Sequence, residues 1–307
     1  MLRERYGKHF NIALGLNLSD GATPALRAVS TPDGRVSGLL CSTDLDGPDA
    51  PLIICVHGIG SNGRYFDLRN NSFALAAARR GIATLLIDRP GYGGSAVSDH
   101  ASAIDSGVDA IGNLIAHVYK YFAQFFGRPL ALVGHSFGGA IALTYAARGP
   151  ADSIAAICVS GVGDRASEAY LVELMNRSSR PSGQLSPHWF FGPGRTYDRH
   201  GVTALRSATE PHRSNEIHEV AFLWPTQWVS VVERIACPVH FRLAEHENIW
   251  QATQVDIERI AAGFTSAARV DAAILPDGGH LYDAHLRGHE LFSAQLDFVQ
   301  NFLKQRT

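Results

Sequence analysis

Long apolar runs are missing from this chain. The opening, MLRERYGKHF, has no apolar signal-peptide core, and no later segment reaches the roughly 18–20 apolar residues of a membrane helix. A soluble cytoplasmic protein, with no membrane partner, is the expectation. An excess of one charge is missing too: 27 Lys and Arg stand against 29 Asp and Glu, for a net charge of −2, with no charge run. Nothing in that balance favours nucleic acid as a partner. Cysteine is scarce. Cys41, Cys55, Cys158 and Cys237 lie far apart without a CxxC pair, so buried free thiols are expected rather than disulfides or a metal site. Fourteen histidines invite a metal reading. However, His285 and His289 are separated by Leu-Arg-Gly, without the glutamate of a zinc helix motif, and both are expected on the surface. Neither a metal nor a cofactor is expected. Internal repeats and low-complexity tracts are also absent.

What is present suffices for one large α/β unit: 307 residues, 46% of them apolar. Ala25–Ser30 and Val36–Cys41 flank a Thr-Pro-Asp-Gly turn and read as a hairpin. Apolar runs at Leu52–Val56, Ala83–Ile87, Leu130–Val133, Ile154–Val159, Val239–Leu243 and Val270–Leu275 read as buried strands. Helices are expected between them. One follows Ser72 and ends at Gly81; another runs over Ile104–Phe126, with apolar residues at helical spacing; a third covers Phe137–Arg148; the last is Leu291–Lys304. Alternation of strands and helices predicts a mostly parallel sheet covered on both faces. The rhythm breaks from Gly161 to Ala236, which is polar and aromatic with helical pieces such as Ser167–Arg177. Residues 162–232 are therefore expected to be an inserted, mainly helical cap, and residues 1–161 and 233–307 the core domain.

The motif carrying the chemistry is LVGHSFGGA, Leu132–Ala140. Small residues at Gly134 and Gly138 permit a tight strand-to-helix turn with Ser136 at its apex, where a nucleophile would be exposed. A serine needs a base. His280, in LPDGGHLYD just after the last strand, is the candidate. The base needs a carboxylate to orient it. Glu247, in VHFRLAEHENIW, is preferred, with Glu245 and Asp164 as alternatives. An oxyanion needs fixed donors, and the backbone N–H groups of Phe137 and of Ile59, in CVHGIGSNG, are placed to supply them. His57 reads as a structural residue of that loop. The glycine-rich run Asp88–Ser95, DRPGYGGS, lacks the lysine and helix of a phosphate cradle and reads as a shaped loop beside the site.

In order along the chain, HGIG, DRPGYGGS, GHSFGG, a late carboxylate and GGH resemble the α/β-hydrolase superfamily, over Leu52–Gln305. The resemblance implies an eight-stranded, mostly parallel sheet, a cap in the insertion, Ser136, Glu247 and His280 as a catalytic triad, and Ile59 and Phe137 as oxyanion donors. It implies a serine hydrolase acting on an ester, thioester or related acyl bond. Acyl transfer, cyclisation, C–C bond hydrolysis and ligand reception on the same scaffold are the alternatives. Ala244-Glu245-His246-Glu247 departs from the Gly-x-x-Asp usual in similar members. The cap's aromatics include Phe190, Tyr197, Phe222 and Trp224, and Trp189, Phe191 and Trp228 are the expected pocket residues for an apolar small-molecule acyl substrate. Arg195, Arg199 and Arg206 are expected to be solvated. The sequence does not name the oligomeric state; a homodimer is compatible with it.

Overall fold

The computed structural model describes residues 25–42, 51–69, 71–121, 130–149, 154–177, 187–212 and 214–303. Strands β1 (Ala25–Ser30) and β2 (Ser37–Ser42) form the N-terminal hairpin. Then come β3 (Leu52–Val56), α1 (Phe73–Ala78), β4 (Ala83–Asp88), α2 (Ala103–Tyr121), β5 (Leu130–His135), α3 (Phe137–Arg148) and β6 (Ile154–Ser160). Between β6 and β7 lie α4 (Glu168–Arg177), α5 (Arg199–Leu205), α6 (Ser214–His218) and α7 (Trp224–Val232). The chain closes with β7 (Val239–His246), α8 (Gln254–Gly263), β8 (Val270–Gly279) and α9 (Gly288–Leu303). The end of the helix expected over Ile104–Phe126, beyond Tyr121, and Lys304 lie outside the described residues.

The eight strands make one sheet in the order β1-β2-β4-β3-β5-β6-β7-β8. β1 and β2 pair antiparallel, as do β2 and β4; every other pairing is parallel. Side chains alternate across it, as the two-residue period of a strand requires. On β3, Ile54 and Val56 enter one apolar cluster while Ile53 and Cys55 enter the other. The first cluster lies beneath α2, α3, α7 and α8, and the second beneath α1 and α9. Both faces are thus covered, which explains why the central strands read as unbroken apolar runs. All four cysteines are buried, and none is in a disulfide. Among the described residues, no helix is long and apolar enough to cross a membrane.

The insertion is anchored by buried acids. Between α6 and α7 the backbone takes a π-helical turn, Glu219–Leu223. Pro225, at the start of α7, has no N–H to offer the carbonyl one turn back, which favours such a local widening. Within that turn Glu219 accepts from the backbone N–H groups of Ala103 (2.7 Å) and Ile104 (3.1 Å) and from the Ser102 hydroxyl (2.6 Å). A carboxylate there meets the positive end of α2 and its unpaired amides.

Candidate active site

The residues singled out for chemistry all follow the C-terminal ends of strands. Ser136 follows β5, His280 follows β8, Glu247 follows β7, and the 57–60 loop follows β3. Parallel strands deliver these ends to one edge of the sheet, where ligand sites of open α/β sheets form.

Ser136 sits at φ 54°, ψ −127°, a conformation costly for any residue with a side chain. The turn is possible because its flanks are glycines. A Cβ on Gly138 would collide with the carbonyl of Val56, and one on Gly134 would lie 2.7 Å from the Gly138 carbonyl oxygen. The strain holds the serine hydroxyl clear of the sheet, within reach of His280 Nε2 at 2.9 Å.

On the other side of the ring, His280 Nδ1 lies 3.0 and 2.9 Å from the two Glu247 carboxyl oxygens. An acceptor there keeps the proton on Nδ1 and leaves Nε2 free to accept from Ser136. The side chains of His280 and Glu247 are buried, 3% and 0% exposed. Glu247 also accepts from the Ile249 N–H at 3.0 Å, which fixes the carboxyl group.

The other two candidate acids are engaged elsewhere. Asp164 is held by Arg259 through two bonds of 2.8 Å. Glu245 is exposed and accepts the Asp277 N–H at 2.8 Å. That bond supports a shift in strand register between Leu275 and Gly279, with Asp277 at φ 55°. β8 is therefore longer than the Val270–Leu275 run, and its irregular end carries His280 to the serine.

The loop after β3 packs against the serine. A Cβ on Gly58 would come within 2.9 Å of Ser136 Cβ. The Phe137 N–H opens α3, where a helix has no internal acceptor to offer. Neither the Phe137 nor the Ile59 amide has an acceptor among the described residues. His57 is fully buried, and burial beside Arg89 pushes its pKa well below the usual histidine range. The Arg89 N–H can only donate, and it meets His57 Nε2 at 3.1 Å, so the ring proton sits on Nδ1 and donates to the Gly58 carbonyl at 2.8 Å. His57 thus ties the loop together.

Of the three expected pocket aromatics, none has a ring contact with His280, and Trp228 lies away from the site. Trp189 stacks edge-on against Tyr170 with centroids 5.3 Å apart, and Phe191 packs on Tyr197 and His285. Trp228 is buried against Trp224, Phe241 and Phe264, so it seals α7 to the sheet and to the end of α8 instead. The ring that approaches His280 is Phe190, at 6.3 Å between centroids. His285 is also corrected. It is buried, accepting the Gly192 and Gly279 N–H groups at Nε2 (3.2 and 3.0 Å) and donating from Nδ1 to the Leu281 carbonyl at 2.8 Å. One imidazole thereby fastens the insertion to the strand that presents His280. His289 is exposed, as are Arg195, Arg199 and Arg206.

A buried network behind the site went unread in the sequence. Tyr65 donates to Asp283 at 2.7 Å and stacks on His135, whose ring lies 5.1 Å from that of His280. Burial raises the Asp283 pKa to about 6, and burial next to His280 depresses that of His135 far below normal. The His135 Nδ1 is 3.1 Å from the Ser160 hydroxyl, so this second imidazole is bonded behind Ser136 rather than to it. Asp283 lies only three residues beyond His280, but nothing in Leu-Tyr-Asp announces a buried carboxyl. Glu245, His246 and Asp277 bring donor atoms within 4.8 Å of one another, as a cation would need. Asp277 already pairs with Arg195 (3.2 Å) and Arg287 (3.5 Å), and Glu245 with the Asp277 amide, so those carboxylates have partners.

With this geometry in place, the comparisons converge. Residues 53–294 match the Alpha/beta hydrolase family, and the chain belongs to that family. It is 30% identical over 182 residues to the dihydrolipoyllysine-residue acetyltransferase component of an acetoin cleaving system from Pseudomonas putida, covering 58% of this chain and 44% of that protein. It is 27% identical over 202 residues to a probable protein phosphatase methylesterase 1 from Caenorhabditis elegans, covering 62% and 52%. The chain thus spans about half the length of these relatives. A soluble variant of monoglyceride lipase from Saccharomyces cerevisiae superposes with a TM-score of 0.66 at 14% identity, over 95% of this chain and 98% of the lipase. At that identity the likeness concerns the fold.

Proposed function

We propose that this protein is a serine hydrolase that cleaves an ester, thioester or related acyl bond of a fairly apolar small molecule through an acyl-enzyme. The observation carrying this reading is the unbroken line of hydrogen bonds from Ser136 through His280 to Glu247, with the serine on a strained turn. Two unpaired amides, those of Ile59 and Phe137, support it.

In the reaction, the Ser136 proton passes to His280 Nε2 as Oγ attacks the carbonyl carbon. The carbonyl oxygen becomes an oxyanion and accepts from the Ile59 and Phe137 N–H groups. Fixed amides need no reorganisation as that charge develops, and each such donor contributes ~10²–10³ in rate. Glu247 holds the Nδ1 proton in place and stabilises the imidazolium. His280 then protonates the leaving oxygen or sulfur, and the acyl group stays on Ser136. Water gives a proton to Nε2 and attacks the acyl carbon; the second tetrahedral intermediate collapses, Ser136 Oγ regains its proton and the acid departs.

Residues 162–232 act as a cap over this edge. Phe190, beside His280, offers apolar surface for the acyl portion. The test is a panel of activated esters and acyl thioesters of graded chain length. Turnover that Ser136→Ala abolishes supports the reading. Turnover that survives Ser136→Ala, or none by the wild type on any member, refutes it.

A further inference from the structure

Arg89 is the first residue after β4, and its side chain is among the most deeply buried in the protein, at 2% exposure. Burying a guanidinium is costly unless its donors are met, so its partners report what holds it there. One terminal nitrogen, Nη2, donates to the Gly58 carbonyl at 3.0 Å. The other, Nη1, donates to Glu216 at 2.6 Å, a pair in which each side chain is 2% exposed. The guanidinium carbon lies 5.1 Å from the centre of the Phe137 ring and 4.7 Å from that of Tyr92. Tyr92 donates its hydroxyl to the second Glu216 oxygen.

The Gly58 carbonyl and the Ile59 N–H belong to one planar, trans peptide unit and point in opposite directions. Fixing the carbonyl fixes the amide. Arg89 and the His57 Nδ1–H both hold that carbonyl from behind, so the Ile59 N–H is turned the other way. Arg89 thus touches the residues that carry both candidate oxyanion donors: it bonds the Gly58–Ile59 peptide and packs on the Phe137 ring. Glu216 belongs to α6, within the insertion, whereas Arg89, Tyr92 and Gly58 belong to the core. Part of the insertion therefore reaches the oxyanion peptide through this guanidinium, while the Glu210 N–H bonds the Gly60 carbonyl of the same loop directly at 2.8 Å.

We propose that Arg89 is a positioning residue that sets the direction of the Ile59 N–H, and that Glu216 holds Arg89 in that task, so that seating of the insertion and assembly of the oxyanion site are one event. The catalytic part of this inference rests on the serine-hydrolase reading above. Its structural part, the tether from α6 to the 57–60 loop, does not.

The experiment compares wild type with Glu216→Gln, Arg89→Lys and Arg89→Ala. Glu216→Gln keeps the shape and removes the charge, and serves where Arg89→Ala fails to fold. Hydrolysis of a p-nitrophenyl ester gives kcat and KM per titrated site, and phenylboronic acid, which forms a tetrahedral adduct on a reactive serine, gives a Ki. The variants should lose kcat by roughly 10-fold for Glu216→Gln and up to ~10³ for Arg89→Ala, with KM within about 2-fold. The boronate Ki should rise in step with the loss in kcat. Guanidinium ion added to Arg89→Ala should restore part of its kcat, which a general loss of structure would not allow. Amide hydrogen exchange at residues 57–60 should accelerate in Glu216→Gln and Arg89→Ala while α9 stays protected. Folded variants with kcat and boronate affinity unchanged, or with only KM raised, would overturn the positioning role. Unchanged exchange at 57–60 would overturn the tether. If wild type neither turns over esters nor binds the boronate, the hydrolase reading fails and the exchange measurement still decides the tether.

Discussion

His280 Nε2 lies 2.9 Å from Ser136 Oγ, across 144 positions of sequence, because β5 and β8 end at the same edge of the parallel part of one sheet. The irregular end of β8 supplies the last part of that approach. Substitutions at these two positions and at Glu247 should therefore act on the rate and spare the fold.

Glu247→Gln should lower kcat by ~10²–10⁴ while leaving the melting temperature near that of the wild type, because the ring loses its anionic orienting partner. Glu245→Gln and Asp164→Asn should leave kcat within about threefold, since neither carboxyl group reaches His280. Asp164→Asn should instead weaken the hold on Arg259, which thermal unfolding would report. A larger rate loss in Asp164→Asn than in Glu247→Gln would reassign the acid.

Stability should fall on acidification below pH 6.5. His57, His135 and His240 are buried and have depressed pKa values, that of His240 down to about 3, with burial the first cause in each case. Unfolding lets each take up a proton at its ordinary pKa, so their contribution is complete above pH 6.5 and is lost as pH falls toward the folded values. Each histidine adds a slope of about 1.4 kcal/mol per pH unit in that window. Denaturant titrations from pH 7.5 to pH 5 should show the decline, and His135→Asn should show a shallower one. A flat profile would contradict the assignment.

Asp283 should act in the opposite sense. Its raised pKa, about 6, means that the folded state keeps a proton which the unfolded chain gives up near 3.8. The stability it favours is present below pH 3.8 and is lost as pH rises through about 6, a difference of about 3 kcal/mol at 1.4 kcal/mol per pKa unit. Asp283→Asn, which cannot ionise and keeps an acceptor for Tyr65, should gain on the wild type as pH rises from 4 to 7. A gap between the two that stays constant over that range would exclude this coupling.

The correction at Trp228 has a measurable consequence. Trp228→Ala should cost ~3–5 kcal/mol of stability, as loss of a buried aromatic does, with the preference between long-chain and acetyl esters unchanged. Phe190→Ala should do the reverse, raising KM for bulky acyl groups by roughly 10-fold and leaving acetyl esters nearly unaffected. If both variants change the preference equally, the insertion's aromatics do not divide in this way.

The strands of the core were legible because a parallel sheet buried on both faces demands unbroken apolar runs, and Leu52–Val56 and Ile154–Val159 supply them. The turn at Ser136 was legible from its glycines. Less was visible wherever a polar residue is buried by distant partners. Arg89 reads as one more charge in a glycine-rich loop until Glu216, 127 positions later, is found against it. His285 looked like a surface histidine because its acceptors and donors, at Leu281, Gly192 and Gly279, are backbone groups without a sequence signature. Trp228 misled for a related reason: an aromatic in an insertion can face the site or the sheet, and only the packing of α7 decides which.

The central claim is that Ser136 is an activated nucleophile, and covalent labelling tests it most directly. A fluorophosphonate probe should modify the wild-type protein once, on the peptide containing Ser136, as identified by mass spectrometry. The label should be absent in Ser136→Ala and slowed by ~10³ or more in His280→Ala. Undiminished labelling of Ser136→Ala, or a modified peptide that does not contain Ser136, would contradict the account.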